Sequence, residues 1–142
     1  MASKLFLDAN ILLDITLQRQ GFVQASAILA AGINGTIKLY TTPAVLHVVA
    51  YYTKRHYSEE QTKQIFSALL NDVTIIDCYH ETALLAIHSG INDLEDALQY
   101  YTALTHRLHA FISSDKKLKK MALPVLPVYT AEEWLVTFEP KD

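Results

Sequence analysis

The stretch Lys4-Leu5-Phe6-Leu7-Asp8-Ala9-Asn10 decides the fold. Leu5, Phe6 and Leu7 form an unbroken apolar run with a polar residue at each end. Such a run reads as a strand buried on both faces, the kind found in parallel sheets. It stops at a carboxylate, and Ile11-Leu12-Leu13 then opens an apolar helix. A strand that ends in Asp and turns straight into a helix places that Asp at the carboxyl edge of the sheet, where open α/β sheets bind their ligands.

The rest of the chain repeats this alternation. Helices are predicted from Ile11 to Leu17 and from Phe22 to Ala31, the second closed by Gly32 and Gly35. A strand follows at Lys38–Thr41, and Pro43 occupies a first helical position, opening a helix to Arg55 with Val45, Val48, Val49 and Tyr52 on one stripe. Ser58-Glu59-Glu60-Gln61 is a capping box that starts the next helix. Val73–Ile76 is the third strand and His80–His88 a further helix. A long helix from Asp93 to Leu108 carries Leu94, Ala97, Leu98, Tyr101, Leu104 and Leu108 as its core stripe. Ala110–Ser113 is the fourth strand, Lys116–Met121 a short basic helix and Pro124–Tyr129 the fifth strand. Thr130-Ala131-Glu132-Glu133 caps the last helix, anchored by Trp134, Leu135 and Phe138, and the tail 139–142 is expected to be loose. Alternating strands and helices predict a three-layer α/β/α fold around a parallel five-stranded sheet.

A chain of 142 residues reads as a single domain, residues 1–142. At that size roughly 70% of the unfolded chain's surface can be buried, so neither a disulfide nor a structural metal is needed to fold. The lone Cys78 excludes an internal disulfide and reads as a small buried residue at a strand end. No apolar run approaches a membrane span, and Asp8 interrupts the N-terminal apolar run that a signal peptide needs. These features predict a cytoplasmic protein that does not enter a membrane. The net charge is −3, so nucleic acid would have to be held by metal cations or a local basic patch.

Three carboxylates fall at comparable places. Asp8 follows the first strand, Asp115 follows the fourth, and Asp96 lies in the first turn of the helix that precedes the fourth. If the first and fourth strands are neighbours, Asp8 and Asp115 converge and Asp96 joins them. Crowded carboxylates repel one another unless a cation is present, and oxygen-only ligands suit Mg²⁺ or Mn²⁺. Those ions bind phosphates and activate water. Each residue also has a plainer reading. Asp8 and Asp115 are in position to cap helices, and Asp93 with Asp96 resembles a capping box. Asn10 reads as a cap or as a residue that orients ligands. Lys116, Lys117, Lys119 and Lys120 read either as a solvated face or as a contact for a phosphate backbone.

Taken together, these motifs resemble the PIN domain, a small metal-dependent nuclease fold that includes the VapC-type toxins of toxin–antitoxin systems. Leu5-Phe6-Leu7-Asp8-Ala9-Asn10-Ile11-Leu12-Leu13-Asp14 resembles the family's opening motif. Asp93-Leu94-Glu95-Asp96-Ala97-Leu98-Gln99-Tyr100 resembles its central motif, and Phe111-Ile112-Ser113-Ser114-Asp115-Lys116-Lys117 its closing one. The resemblance implies a metal-dependent endoribonuclease in which Asp8, Asp96 and Asp115 are catalytic and hold Mg²⁺ or Mn²⁺. It places Asn10, Asp93 and Ser113 around them and Lys116 and Lys117 on the substrate. It also implies RNA as substrate, an antitoxin protein as partner, and a homodimer. One departure stands out: the glutamate that many members carry in the third helix falls at Val48, beside His47, and no residue from Thr41 to Arg55 is acidic. The fourth ligand is then missing, leaving a three-acid site for one metal, or is supplied by Asp93 or His47. The departure also admits a catalytically weak or inactive PIN-like module that binds RNA or a protein. Two remoter enzymes fit less well. A receiver domain would use Asp77 but needs a lysine where Val128-Tyr129-Thr130 stands, and a haloacid-dehalogenase-like phosphatase needs an acid where Asn10 stands.

Overall fold

The structure is a computed structural model and describes residues 2–138. In chain order it runs β1 (Ser3–Leu7), α1 (Ala9–Thr16), α2 (Phe22–Ile33), β2 (Ile37–Thr41), α3 (Pro43–Thr53), α4 (Glu59–Leu69) and β3 (Val73–Ile75). It continues through α5 (His80–Ile87), α6 (Leu94–Thr105), β4 (Ala110–Ile112), α7 (Lys116–Met121), β5 (Val128–Tyr129) and α8 (Ala131–Phe138). The five strands form one parallel sheet in the order β3-β2-β1-β4-β5. Helices cover both faces in a three-layer α/β/α arrangement, as the alternation predicts.

The opening strand is the centre of that sheet. Leu5 lies opposite Leu39 of β2 and Ala110 of β4, and Leu5, Phe6 and Leu7 are fully buried. Phe6 stacks on Phe111 with ring centroids 4.6 Å apart, and Tyr100 of α6 closes on Phe111 at 5.8 Å. The buried Tyr100 hydroxyl donates to the Leu126 carbonyl at 2.8 Å and accepts from the Leu123 N–H at 2.7 Å. It thereby ties α6 to the segment that leads into β5. The two capping boxes form as predicted, Ser58 with Gln61 and Thr130 with Glu133.

Several details differ from the sequence reading. The core stripe of α6 is rotated by about one residue. Ala97, Tyr100 and Ala103 are buried, whereas Leu94 is half exposed. On α3, Val45, Val49 and Thr53 are buried, and Val48 and Tyr52 face outward. Helix α6 ends at Thr105 rather than Leu108, because Arg107 takes a left-handed φ of 58° and turns Leu108 back into the core. Helix α2 runs through Gly32 to Ile33. Gly35, with φ 82°, closes it, while a Cβ on Gly32 would stand 2.5 Å from Leu39 Cδ1. Gly32 therefore serves close helix–strand packing, not termination. The fifth strand shrinks to Val128–Tyr129 because prolines at 124 and 127 lack the N–H a ladder needs. Cys78 is exposed, not buried, because β3 ends at Ile75 and the chain has left the sheet by residue 78. The tail 139–142 lies outside the described residues. Among the described residues, no helix is long and apolar enough to cross a membrane.

Candidate functional site

From β1 the chain builds outward through β2 to β3, then crosses back to place β4 on the other side of β1. The carboxyl ends of β1 and β4 therefore flank the topological switch point, where an open sheet leaves a crevice. Asp8 leaves β1 there, and Ser113 and Asp115 leave β4 beside it. The N-terminus of α6 brings Asp96 to the same crevice. Asp8, Asp96 and Asp115 line one cleft of about 300 Å³, together with Asn10, Val48, Glu95 and Gln99.

Each acid is set by its backbone. Asp8 is the N-cap of α1, accepting from the Ala9 N–H at 2.8 Å. Its other oxygen accepts from the Ser113 hydroxyl at 2.7 Å, and that hydroxyl in turn accepts from the Asp115 N–H at 3.1 Å. Ser113, only 2% exposed, thus couples Asp8 to Asp115. Asp115 caps α7 through the Lys117 N–H at 2.9 Å and the Leu118 N–H at 3.2 Å. Asp93 caps α6 by accepting from the Asp96 N–H at 2.9 Å, which aligns the first turn that carries Asp96. The capping roles are real for Asp8, Asp93 and Asp115, and they are the means by which the carboxylates are aimed. Asn10, read as a possible cap, is not one: it lies in the first turn of α1 and lines the cleft.

The electrostatics follow from the crowding. Burial pushes the Asp8 carboxyl up, only partly offset by the Ser113 and Ala9 hydrogen bonds, and the Asp115 charge raises it further. Asp96 is pushed up to about 7, first by burial, then by the Asp115 carboxylate that it bonds, then by the Asp115, Asp93 and Asp8 charges. Asp115 is held below the ordinary carboxylate range. Burial acts against this, but the Leu118 N–H, the Asp96 carboxyl, the Lys117 N–H and the Lys117 charge outweigh it. Asp96 and Asp115 shift one another in opposite directions, Asp96 up and Asp115 down. Among the described residues, no three His, Cys, Asp or Glu side chains already surround one ion position. The donor chemistry nonetheless fits a hard divalent cation: carboxylate oxygens crowded together with a surplus of negative charge.

The PIN-domain family profile matches residues 4–117. This chain belongs to the PIN-domain family. A comparison with curated protein sequences finds no significant match. Among solved structures, a chain of the toxin–antitoxin complex from Klebsiella pneumoniae is 26% identical, with a TM-score of 0.69 over 91% of this chain and 98% of that one. Two others share the fold at lower identity. One is a chain of VapBC2 from Rickettsia felis bound to a DNA fragment from its promoter, at 16% identity and TM-score 0.64, covering 89% of this chain and 98% of that one. The other is PAE2754 from Pyrobaculum aerophilum, at 14% identity and TM-score 0.62, covering 96% and 97%.

Within this PIN domain Val48 lies on the wall of the cleft. His47 is exposed and is not among the residues that line the cleft. Asp93 lies on the far side of the Asp96–Asp115 pair, in a second cavity with Lys117. Lys116 is part of a neighbouring cavity with Lys119 and Lys120, but Lys119 is paired with Glu133. Glu95 and Gln99 also line the cleft, though the sequence reading gave neither of them a site role. Gln99 follows Asp96 by three positions, a spacing that puts both on one helix face and had the signal in it.

Proposed function

We propose that this PIN domain is a metal-dependent endoribonuclease and the toxin of a toxin–antitoxin pair. The observation that carries the reading is the convergence of Asp8, Asp96 and Asp115 on one cleft at the sheet's switch point. Asp8, Asp96 and Asp115 would hold Mg²⁺ or Mn²⁺, which when bound supplies a Lewis acid at the scissile phosphate and an acidified water. The chain's own contribution is positioning. Ser113 fixes the Asp8 carboxylate and the turn that carries Asp115, and Asn10 adds a polar group to the same wall. Lys116 and Lys117, which make no ion pair among the described residues, stand beside the acids to meet the phosphate backbone of RNA. The likeness to a chain of a toxin–antitoxin complex supports an antitoxin partner. Exposed Val48, Tyr51 and Tyr52 on α3, and exposed Leu84, Leu85 and Ile87 on α5, offer apolar surface for that partner or for a homodimer.

The test is RNA cleavage with added Mn²⁺, together with calorimetry of Mn²⁺ binding. The expected result is EDTA-sensitive cleavage that Asp8→Asn reduces by about a thousandfold or more, with the melting temperature preserved because Asn still caps α1. Undiminished cleavage by Asp8→Asn would remove Asp8 from the mechanism. Val48 in place of an acid favours a second reading, a module that binds RNA without cutting it. Tight RNA binding with no Mn²⁺-dependent cleavage would establish that reading instead.

A further inference from the structure

Asp115 is a wall that three cavities share. One is the acid cleft, and a second is the cavity with Asp93 and Lys117. The third, of about 330 Å³, runs along α7 and is lined by Lys116, Lys119, Lys120, Thr130 and Glu133. Their charges differ. The acid cleft holds Asp8, Glu95, Asp96 and Asp115 and no cation. The Asp93 cavity sets Lys117 against Asp93, Asp96 and Asp115. The α7 cavity sets its three lysines against Asp115 and Glu133, so there the cations prevail. A divalent ion would offset the acids at the scissile phosphate alone, and the neighbouring phosphates need cations from the chain. Lys116 and Lys120 supply them. They are exposed, stand one turn apart on the helix face that also carries Lys119, and make no ion pair among the described residues.

Lys119 is differently placed. Oε2 of Glu133 holds its ammonium. The other oxygen, Oε1, accepts from the Thr130 N–H at 2.8 Å and completes the capping box of α8. One carboxylate thus does two jobs with two oxygens. The Lys119 hydrogen bond and the Thr130 N–H hold the Glu133 carboxyl below the ordinary carboxylate range, so it is charged at neutral pH. The two side chains are 45% and 41% exposed. An ion pair so open to water contributes little to the fold and yields readily to a competing anion. We propose that RNA leaves the acid cleft along α7 and that the Glu133 carboxylate competes with its phosphates for Lys119. Lys116 and Lys120 grip the strand, and Glu133 keeps the third lysine from adding to that grip. The inference rests on the RNA-cutting role proposed above, and its test separates the two.

Binding is measured by fluorescence anisotropy with labelled single-stranded RNA of random sequence, in EDTA, over a range of KCl concentrations. EDTA keeps divalent chemistry out of the measurement. Glu133→Gln retains the carbonyl that caps α8 and removes the charge that holds Lys119, so the melting temperature should stay within about 2 °C. It should tighten RNA binding by about threefold or more. It should also steepen the fall of log affinity with log salt by about 0.7, as one more phosphate of a single strand is neutralised. Lys120→Gln should make that fall shallower by about the same amount. In the double variant Lys119→Gln with Glu133→Gln the gain should vanish, since competition needs both partners. Glu132→Gln removes an equal charge from an exposed neighbouring position and should leave the slope unchanged. A wild-type slope in Glu133→Gln, or a gain that survives the loss of Lys119, overturns the proposal. In parallel, Mn²⁺-dependent cleavage of the same RNA should show a lower KM in Glu133→Gln with little change in kcat. Shifted slopes without any cleavage would sink the nuclease reading and leave the RNA path standing, whereas cleavage with unshifted slopes would do the reverse.

Discussion

Asp96 has the Asp115 carboxylate against it and the Asp93 and Asp8 charges nearby, and its pKa is pushed up to about 7, with burial the largest cause. The folded chain therefore holds a proton that the unfolded chain, at the ordinary value of 3.8, releases earlier. This contribution to stability is complete below pH 3.8 and is lost as pH rises through about 7. Asp8 is shifted in the same direction. The metal-free protein should thus melt at a higher temperature at pH 5 than at pH 8. Adding Mn²⁺ at pH 8 should recover the loss, since a cation there takes over the proton's role. Calorimetric melts across that range check this, and a flat profile would mean that neither burial nor the neighbouring carboxylates raise Asp96. The acids were visible in the sequence because each ends a strand or opens a helix. The hydrogen bond from Ser113 to Asp8 spans 105 positions, so only the assembled sheet reveals it. The exposure of Cys78 likewise depends on where β3 stops, which apolar character alone misjudged.

Helix ends were legible where a side chain makes the cap. Ser58 with Gln61 and Thr130 with Glu133 are local reciprocal pairs, readable from spacing. The C-terminus of α6 was not legible, because its cap is a backbone conformation without the usual glycine. Arg107 takes the left-handed position, the Leu108 N–H bonds the Ala103 carbonyl at 3.1 Å and the Arg107 N–H bonds that of Leu104 at 3.0 Å. A non-glycine residue there costs roughly 1–2 kcal/mol, partly offset by the greater chain entropy of glycine in the unfolded state. Arg107→Gly should therefore raise stability by about 0.5–1 kcal/mol, or about 2–4 °C in a thermal melt. A lower melting temperature would mean that the arginine side chain makes contributions beyond its backbone. The rotated core stripe of α6 has a similar origin. Ala97, Tyr100 and Ala103 share a face as good as the one read from the leucines, and the partner surface chose between them.

At the scale of the molecule, large apolar side chains remain exposed on several helices, α3 and α5 among them. Val48, Tyr51 and Tyr52 project from α3, and Leu84, Leu85 and Ile87 from α5. If the apolar surface of α5 pairs two copies of the chain, sedimentation equilibrium should give a dimer. Leu85→Glu, at a position 57% exposed and hence tolerant of charge in the monomer, should shift it toward monomer at equal concentration. A wild-type monomer would leave the apolar face to the antitoxin.

Composition and periodicity were enough to specify a parallel α/β sheet with Leu5–Leu7 at its heart and acids at its carboxyl edge. Burial on both faces and the strand-to-helix turn leave marks on residues close together in the chain. Which strands are neighbours leaves no such mark. The placement of β4 against β1 brings Asp115 to Asp8, and the packing of α3 and α6 puts Val48 and Gln99 on the wall of the same cleft. Those contacts join residues far apart along the chain, and only the packing of the whole sheet and its helices selects them.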